Sequence, residues 1–175
     1  MSVGDGVDRP HANIGAWGRT IARLSEWFAL AGSAIFVAIA GMSVLSISGR
    51  ALFDRPLSGD YELVQTGCAV FVSLCLPLCQ VRGSNIIIDF FTAKASTATQ
   101  RRLDAFGALL LGGVMLLVSW RLVVGTISIR EAGETTTILA WPVWFTYAAM
   151  IPGVVLTSIA GFHSAIVHLR AARAR

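Results

Sequence analysis

Residues 50–91 read RALFDRPLSGDYELVQTGCAVFVSLCLPLCQVRGSNIIIDFF. A charged turn leads into an apolar run, which ends at Arg82 and gives way to GSNIIIDFF. From Leu63 to Val81 there are 19 residues without a charge. At ~1.5 Å per residue this run nearly covers the ~30 Å hydrocarbon core of a bilayer. The polar turns beside it are short, so the neighbouring segments must also meet the membrane. The fold class that follows is an all-α integral membrane protein.

Composition agrees. The chain has 175 residues, 55% hydrophobic and 14% charged, and a mean hydropathy of +0.69. A soluble domain carries about 25% charged residues. The length suits one unit of four transmembrane helices over residues 27–167, with a polar segment at 1–26 and a basic tail at 168–175. The net charge of +4 sits in short groups between apolar runs. That pattern reports topology and contact with anionic lipid, not nucleic acid.

The first span is expected from Trp27 to Ser48, with Ala34 and Ala38 as a small-xxx-small pair for close helix approach. The preceding piece, WGRTIARLSE, is amphipathic and can lie at the membrane surface. No secretory signal is expected, because the first apolar run starts late and lacks an A-x-A-like site. Pro56 and Gly59 mark the first loop as a turn. The second span contains Pro77, which frees a carbonyl for neighbouring helices to satisfy. Residues 86–91 are too apolar for a free loop and too short to span, so an interfacial segment is expected there, with Asp89 on its wet side.

In the third span, Asp104 and Arg121 bracket only 16 uncharged residues. Arg121 must therefore snorkel to the headgroups or pair with an acid inside the bundle. Ala108 and Gly112 form a second small pair. Trp141, Trp144 and Tyr147 open the fourth span as an aromatic belt, and Ala149, Gly153, Thr157 and Gly161 recur at i+4 along it. With four spans, 10 of the Lys and Arg residues fall on the side of the termini and 4 on the other. The positive-inside rule then places both termini in the cytoplasm.

Little in the sequence resembles a reaction centre. Cys68, Cys75 and Cys79 all lie within the second span and read as packing residues. His163 has no second buried histidine with which to hold a haem. There is no phosphate-binding glycine loop, catalytic carboxylate pair or nucleophile triad. No enzyme activity and no cofactor on this chain are expected. A self-sufficient ion-coupled carrier wants an ionisable group deep in the membrane, and the first, second and fourth spans have no carboxylate in their middles.

Three pieces in order resemble the DctQ-like small membrane subunit of tripartite ATP-independent periplasmic (TRAP) transporters. SGRALFDRPLSGDYELVQ resembles the family's arginine, proline turn and glutamate, at Arg50, Pro56 and Glu62. VRGSNIIIDFF is similar to its R-x-G-x-H-I-x-V-D segment, at Arg82, Gly83, Ile86 and Asp89, with Asn85 where histidine is frequent. GETTTILAWPVWFTYAAMIPG resembles the loop into the fourth helix, at Glu134, Thr135, Pro142, Trp144 and Pro152. The resemblance implies a non-catalytic scaffold in a bacterial inner membrane. Its partners would be a large DctM-like permease and a periplasmic solute-binding protein. It implies sodium-driven uptake of a small organic acid, with the sodium sites on the large subunit. The rival reading is a self-sufficient four-helix carrier of the multidrug type. Those resemble one another in a glutamate in mid-span of the first helix, and residues 27–49 contain none.

Overall fold

The computed structural model describes residues 16–53, 58–82 and 97–173. It contains four long helices, α1 (Ala16–Phe53), α2 (Asp60–Val81), α3 (Thr97–Ala132) and α4 (Trp144–Arg173). Each is long and apolar enough to cross a membrane. Pro56, Asp89 and the expected interfacial segment lie outside the described residues.

Two helices are much longer than a span requires. At 38 residues, α1 is ~57 Å long, and the amphipathic lead-in forms its first turns, continuous with the span. At 36 residues, α3 runs well past Arg121 to Ala132. The apparent shortness of the third span came from treating Arg121 as its end.

The helices form an open row, in the order α1, α2, α4, α3. Each packs on its neighbour in that order, α1 touches α4 only lightly, and α3 contacts neither α1 nor α2 among the described residues. Consequently α4 is the most enclosed helix and α1 the least.

Small residues decide where the helices meet. Lipid tails are as apolar as leucine, so helix association rests on close approach and interhelical hydrogen bonds. Between α3 and α4, a Cβ added to Gly161 would sit 2.9 Å from the Gly112 Cα and 3.2 Å from the Ala108 carbonyl oxygen. The Ser158 hydroxyl donates to the Gly112 carbonyl at 2.9 Å. Between α2 and α4, Gly153 lies directly against the Ser73 carbonyl. That carbonyl is the acceptor that Pro77, four residues on, cannot serve. The strips expected on α3 and α4 therefore do meet partners.

The expected pair on α1 does not, since Ala34 and Ala38 are exposed. The packing face of α1 instead carries Ser25, Ala29, Gly32, Ile39 and Ser46. Their spacing follows the 3.5-residue repeat of a helix seam. Gly32 approaches the Leu74 Cβ, Ile39 lies over Gly67, and Phe36 stacks on Phe71 at 4.6 Å.

Ser158→Ala removes the α4-to-α3 hydrogen bond and nothing bulky. We expect a loss of about 0.6 kcal/mol, the usual scale for such bonds in membranes. Thermal unfolding in detergent checks it, and a shift as large as that of a core truncation would contradict the assignment.

Candidate functional site

Among the described residues, the hydrogen bonds that acidic side chains make to other elements lie at the end of the row where α1 finishes and α2 and α4 begin. Gly59 precedes α2 in the left-handed conformation, φ 82°. Asp60 and Glu62 follow in the first turn, where carboxylates oppose the positive end of the helix dipole. The two acids face different neighbours.

Asp60 ties α2 back to α1. Its Oδ2 accepts from the buried Ser46 hydroxyl at 2.7 Å, and its Oδ1 accepts from the Tyr61 N–H at 2.7 Å. Arg50, exposed in the last turn of α1, adds a favourable field at this carboxylate.

Glu62 ties α2 to the loop between α3 and α4. Its Oε1 accepts from the Ile138 N–H at 2.8 Å and its Oε2 from the Leu139 N–H at 3.1 Å. The Thr136 hydroxyl and the Thr137 N–H add to the donors facing it. Two strongly polar backbone groups at a loop tip thus meet a charged acceptor, the stronger kind of hydrogen bond.

The loop presents that tip because it is folded on itself. Gly133, at φ 67°, ends α3 with its N–H on the Arg130 carbonyl, while the Glu134 N–H reaches the Ile129 carbonyl. This pair of bonds is a Schellman cap. The chain then turns back, with Thr135 bridged to Pro142. The Thr136 N–H donates to the Trp141 carbonyl at 2.8 Å and the Val143 N–H to the Glu134 carbonyl at 3.1 Å. The Trp141 N–H closes the turn on the Thr136 hydroxyl at 3.1 Å. Ala140, at φ 52°, takes the left-handed conformation the turn requires.

Leu139 covers Gly59 from the tip. A Cβ on Gly59 would lie 2.6 Å from the Leu139 Cγ. Gly59→Ala therefore meets a backbone penalty and a steric one together. We expect it to cost about 1–3 kcal/mol, read as a lower unfolding temperature. An unchanged temperature would mean that the tip does not rest on α2.

Of the residues expected to matter, Arg50, Glu62, Glu134, Pro142 and Trp144 gather at this end. Glu134 acts through its backbone, and its side chain is exposed. Pro142 contributes its bridge to Thr135 and a carbonyl that accepts from the Phe145 N–H at 3.2 Å. The Arg130 guanidinium stands 5.3 Å from the Trp144 ring centroid, and Trp144 meets Phe145 edge-on at 5.9 Å. Arg82 is elsewhere. It caps the far end of α2 by its N–H on the Leu78 carbonyl, and its side chain is exposed.

Sequence reasoning missed Ser46, Asp60, Arg130 and Thr136 as members of this cluster. An acid directly after a turn glycine was the available signal for Asp60. Nothing local marked Ser46, which lies 14 residues away.

The hydrogen bonds of the site fasten α1, α2 and the α3–α4 loop together. Among the described residues, no group of three or more His, Cys, Asp or Glu side chains could hold a metal ion. No curated protein and no solved structure matches the chain. A family model does, that of the tripartite ATP-independent periplasmic transporters, DctQ component, over residues 39–171. The matched region begins inside α1 and ends inside α4, and so takes in the whole clasped end. The protein is a multi-pass membrane protein of the DctQ family, the small permease component of TRAP transporters.

Proposed function

We propose that the chain is a non-catalytic scaffold for a large TRAP permease subunit. That subunit takes up a small organic acid, handed over by a periplasmic binding protein and driven by sodium. The sodium sites belong to the large subunit. Both termini lie in the cytoplasm and the clasped end faces the periplasm of a bacterial inner membrane.

The observation that carries this reading is the DctQ family match. Two others agree with it. Every carboxylate of the described residues lies towards a helix end or in a connecting loop, where it cannot serve as a mid-membrane ion site. The described polar network joins α1, α2 and the α3–α4 loop into one braced end. A brace suits a part that stays still while another moves.

The test is affinity purification of the tagged chain from its native membrane in mild detergent, with mass identification of what accompanies it. A large polytopic permease in stoichiometric amount is expected. A chain that purifies alone, or only with itself, would overturn the reading and favour a self-sufficient carrier.

A further inference from the structure

Glu62 fixes the depth of the α3–α4 loop. The uncharged run of α2, Leu63 to Val81, is 19 residues long, or ~28 Å. A bilayer core is ~30 Å thick, so the run crosses it only with one end at each boundary. Glu62 is the next residue and therefore stands at the edge of the hydrocarbon. A tilt of α2 shortens its reach and does not lift Glu62 clear of that edge. Tyr61 beside it is exposed, the usual setting of a tyrosine at a membrane boundary. Ile138 and Leu139 donate to the Glu62 carboxylate at 2.8 and 3.1 Å. The loop tip is thus level with the start of the core and not in the water beyond it.

The tip carries more apolar surface than the chain itself covers. Leu139 turns inwards over Gly59. Ile138 is 59% exposed, Trp141 51% and Phe145 53%. Trp141 meets Phe145 edge-on, with ring centroids 6.1 Å apart, so the two rings form one block. Phe145 in turn heads an exposed stripe down one side of α4, through Pro152, Val155, Ile159 and Ile166. The apolar surface of the loop is therefore continuous with that of a membrane-spanning helix.

The backbone of the tip suits a place where water is scarce. The N–H groups of Thr136, Ile138, Leu139, Trp141 and Val143 all donate within the chain. An unpaired N–H is costly in such a layer, and these are paired before lipid is reached. Tryptophan favours the same level, with its ring body in apolar surroundings and its ring N–H in contact with water.

We propose that the α3–α4 loop is an interfacial anchor, with Ile138, Trp141 and Phe145 seated in the headgroup–acyl boundary of the leaflet at the clasped end. Its partner is lipid. The aromatic belt expected at the start of α4 extends into a folded ridge, latched to α2, which sets the height of the row in the bilayer. This role is independent of the large permease.

Two measurements on the full chain test it. Trp141 is kept as the sole tryptophan, with phenylalanine in place of Trp17, Trp27, Trp120 and Trp144, and the protein is reconstituted in phosphatidylcholine vesicles. Bromines near the headgroup end of the acyl chains should quench Trp141 roughly twofold more than bromines near the methyl end, and iodide in the water should quench it little. In native membranes, a photo-crosslinking residue in place of Ile138 should form adducts with lipid and none with protein. That variant keeps all its tryptophans, so it decides the matter if size exclusion shows the first variant to be misfolded. Quenching by iodide without quenching by brominated lipid would place the tip in water and overturn the inference. Stronger quenching from the methyl end would overturn it too, by placing the tip too deep. A protein adduct from position 138 would make the ridge a docking surface instead, and reaction with water alone would leave it no partner.

Discussion

Gly153→Leu should leave little folded protein, while Gly113→Ala on the neighbouring helix should be harmless or mildly stabilising. At position 153 any Cβ would run into the Ser73 carbonyl and the backbone beyond it. No side chain there can rotate away, so relief requires α2 and α4 to separate. Separation would open the central seam of a row in which, among the described residues, α3 packs on α4 alone. Overpacking of this kind costs about 3 kcal/mol, here with no rotamer to absorb it. Gly113 also lies within a long helix, but a Cβ added there meets nothing within 4 Å. Replacing it by alanine gains about 1 kcal/mol of helix propensity. Fluorescence-detected size exclusion and unfolding temperature in one detergent compare the two. A monodisperse peak with unchanged unfolding temperature for Gly153→Leu would contradict the close contact of Gly153 with the Ser73 carbonyl.

The contrast between these glycines shows what could be read in advance. Gly153 and Gly161 belong to an i+4 strip visible in the sequence, and both lie in seams. Ala34 and Ala38 make an equally good pair on paper, yet they are exposed. Small-residue spacing identifies a smooth face but not whether another helix covers it. For α1 the better guide was the 3.5-residue repeat through Ser25, Ala29, Gly32, Ile39 and Ser46, because polar and small residues gathered there. Span number and order were legible, since apolar length and loop charge alone determine them.

The clasp was only half legible. Glu62 could be singled out as a carboxylate at a helix start, and the family resemblance pointed to it as well. Its partners could not, because they are backbone N–H groups 76 and 77 residues away. Amides carry no sequence signature. The continuation of α3 past Arg121 to Ala132 was hidden for a related reason, since an arginine after an apolar run looks like its end.

Glu62→Ala should release the α3–α4 loop from α2. The carboxylate is the acceptor for the Ile138 and Leu139 N–H groups, and alanine returns both to solvent. The turn from Thr136 to Trp141 keeps its own hydrogen bonds, so the loop should detach as a folded piece and not unravel. Hydrogen exchange at Ile138 and Leu139 should therefore accelerate, roughly tenfold, while exchange at Thr136 changes little. Glu62→Gln should fall between, because an amide has one acceptor oxygen where the carboxylate has two. It also lacks the charge that complements the start of α2. If the chain is the scaffold proposed above, both variants should lower uptake more than Lys94→Ala does, since a loosened brace would no longer present one fixed surface to a partner. Unchanged exchange at both amides in Glu62→Ala would show that the loop is held by Leu139 on Gly59 and not by charge.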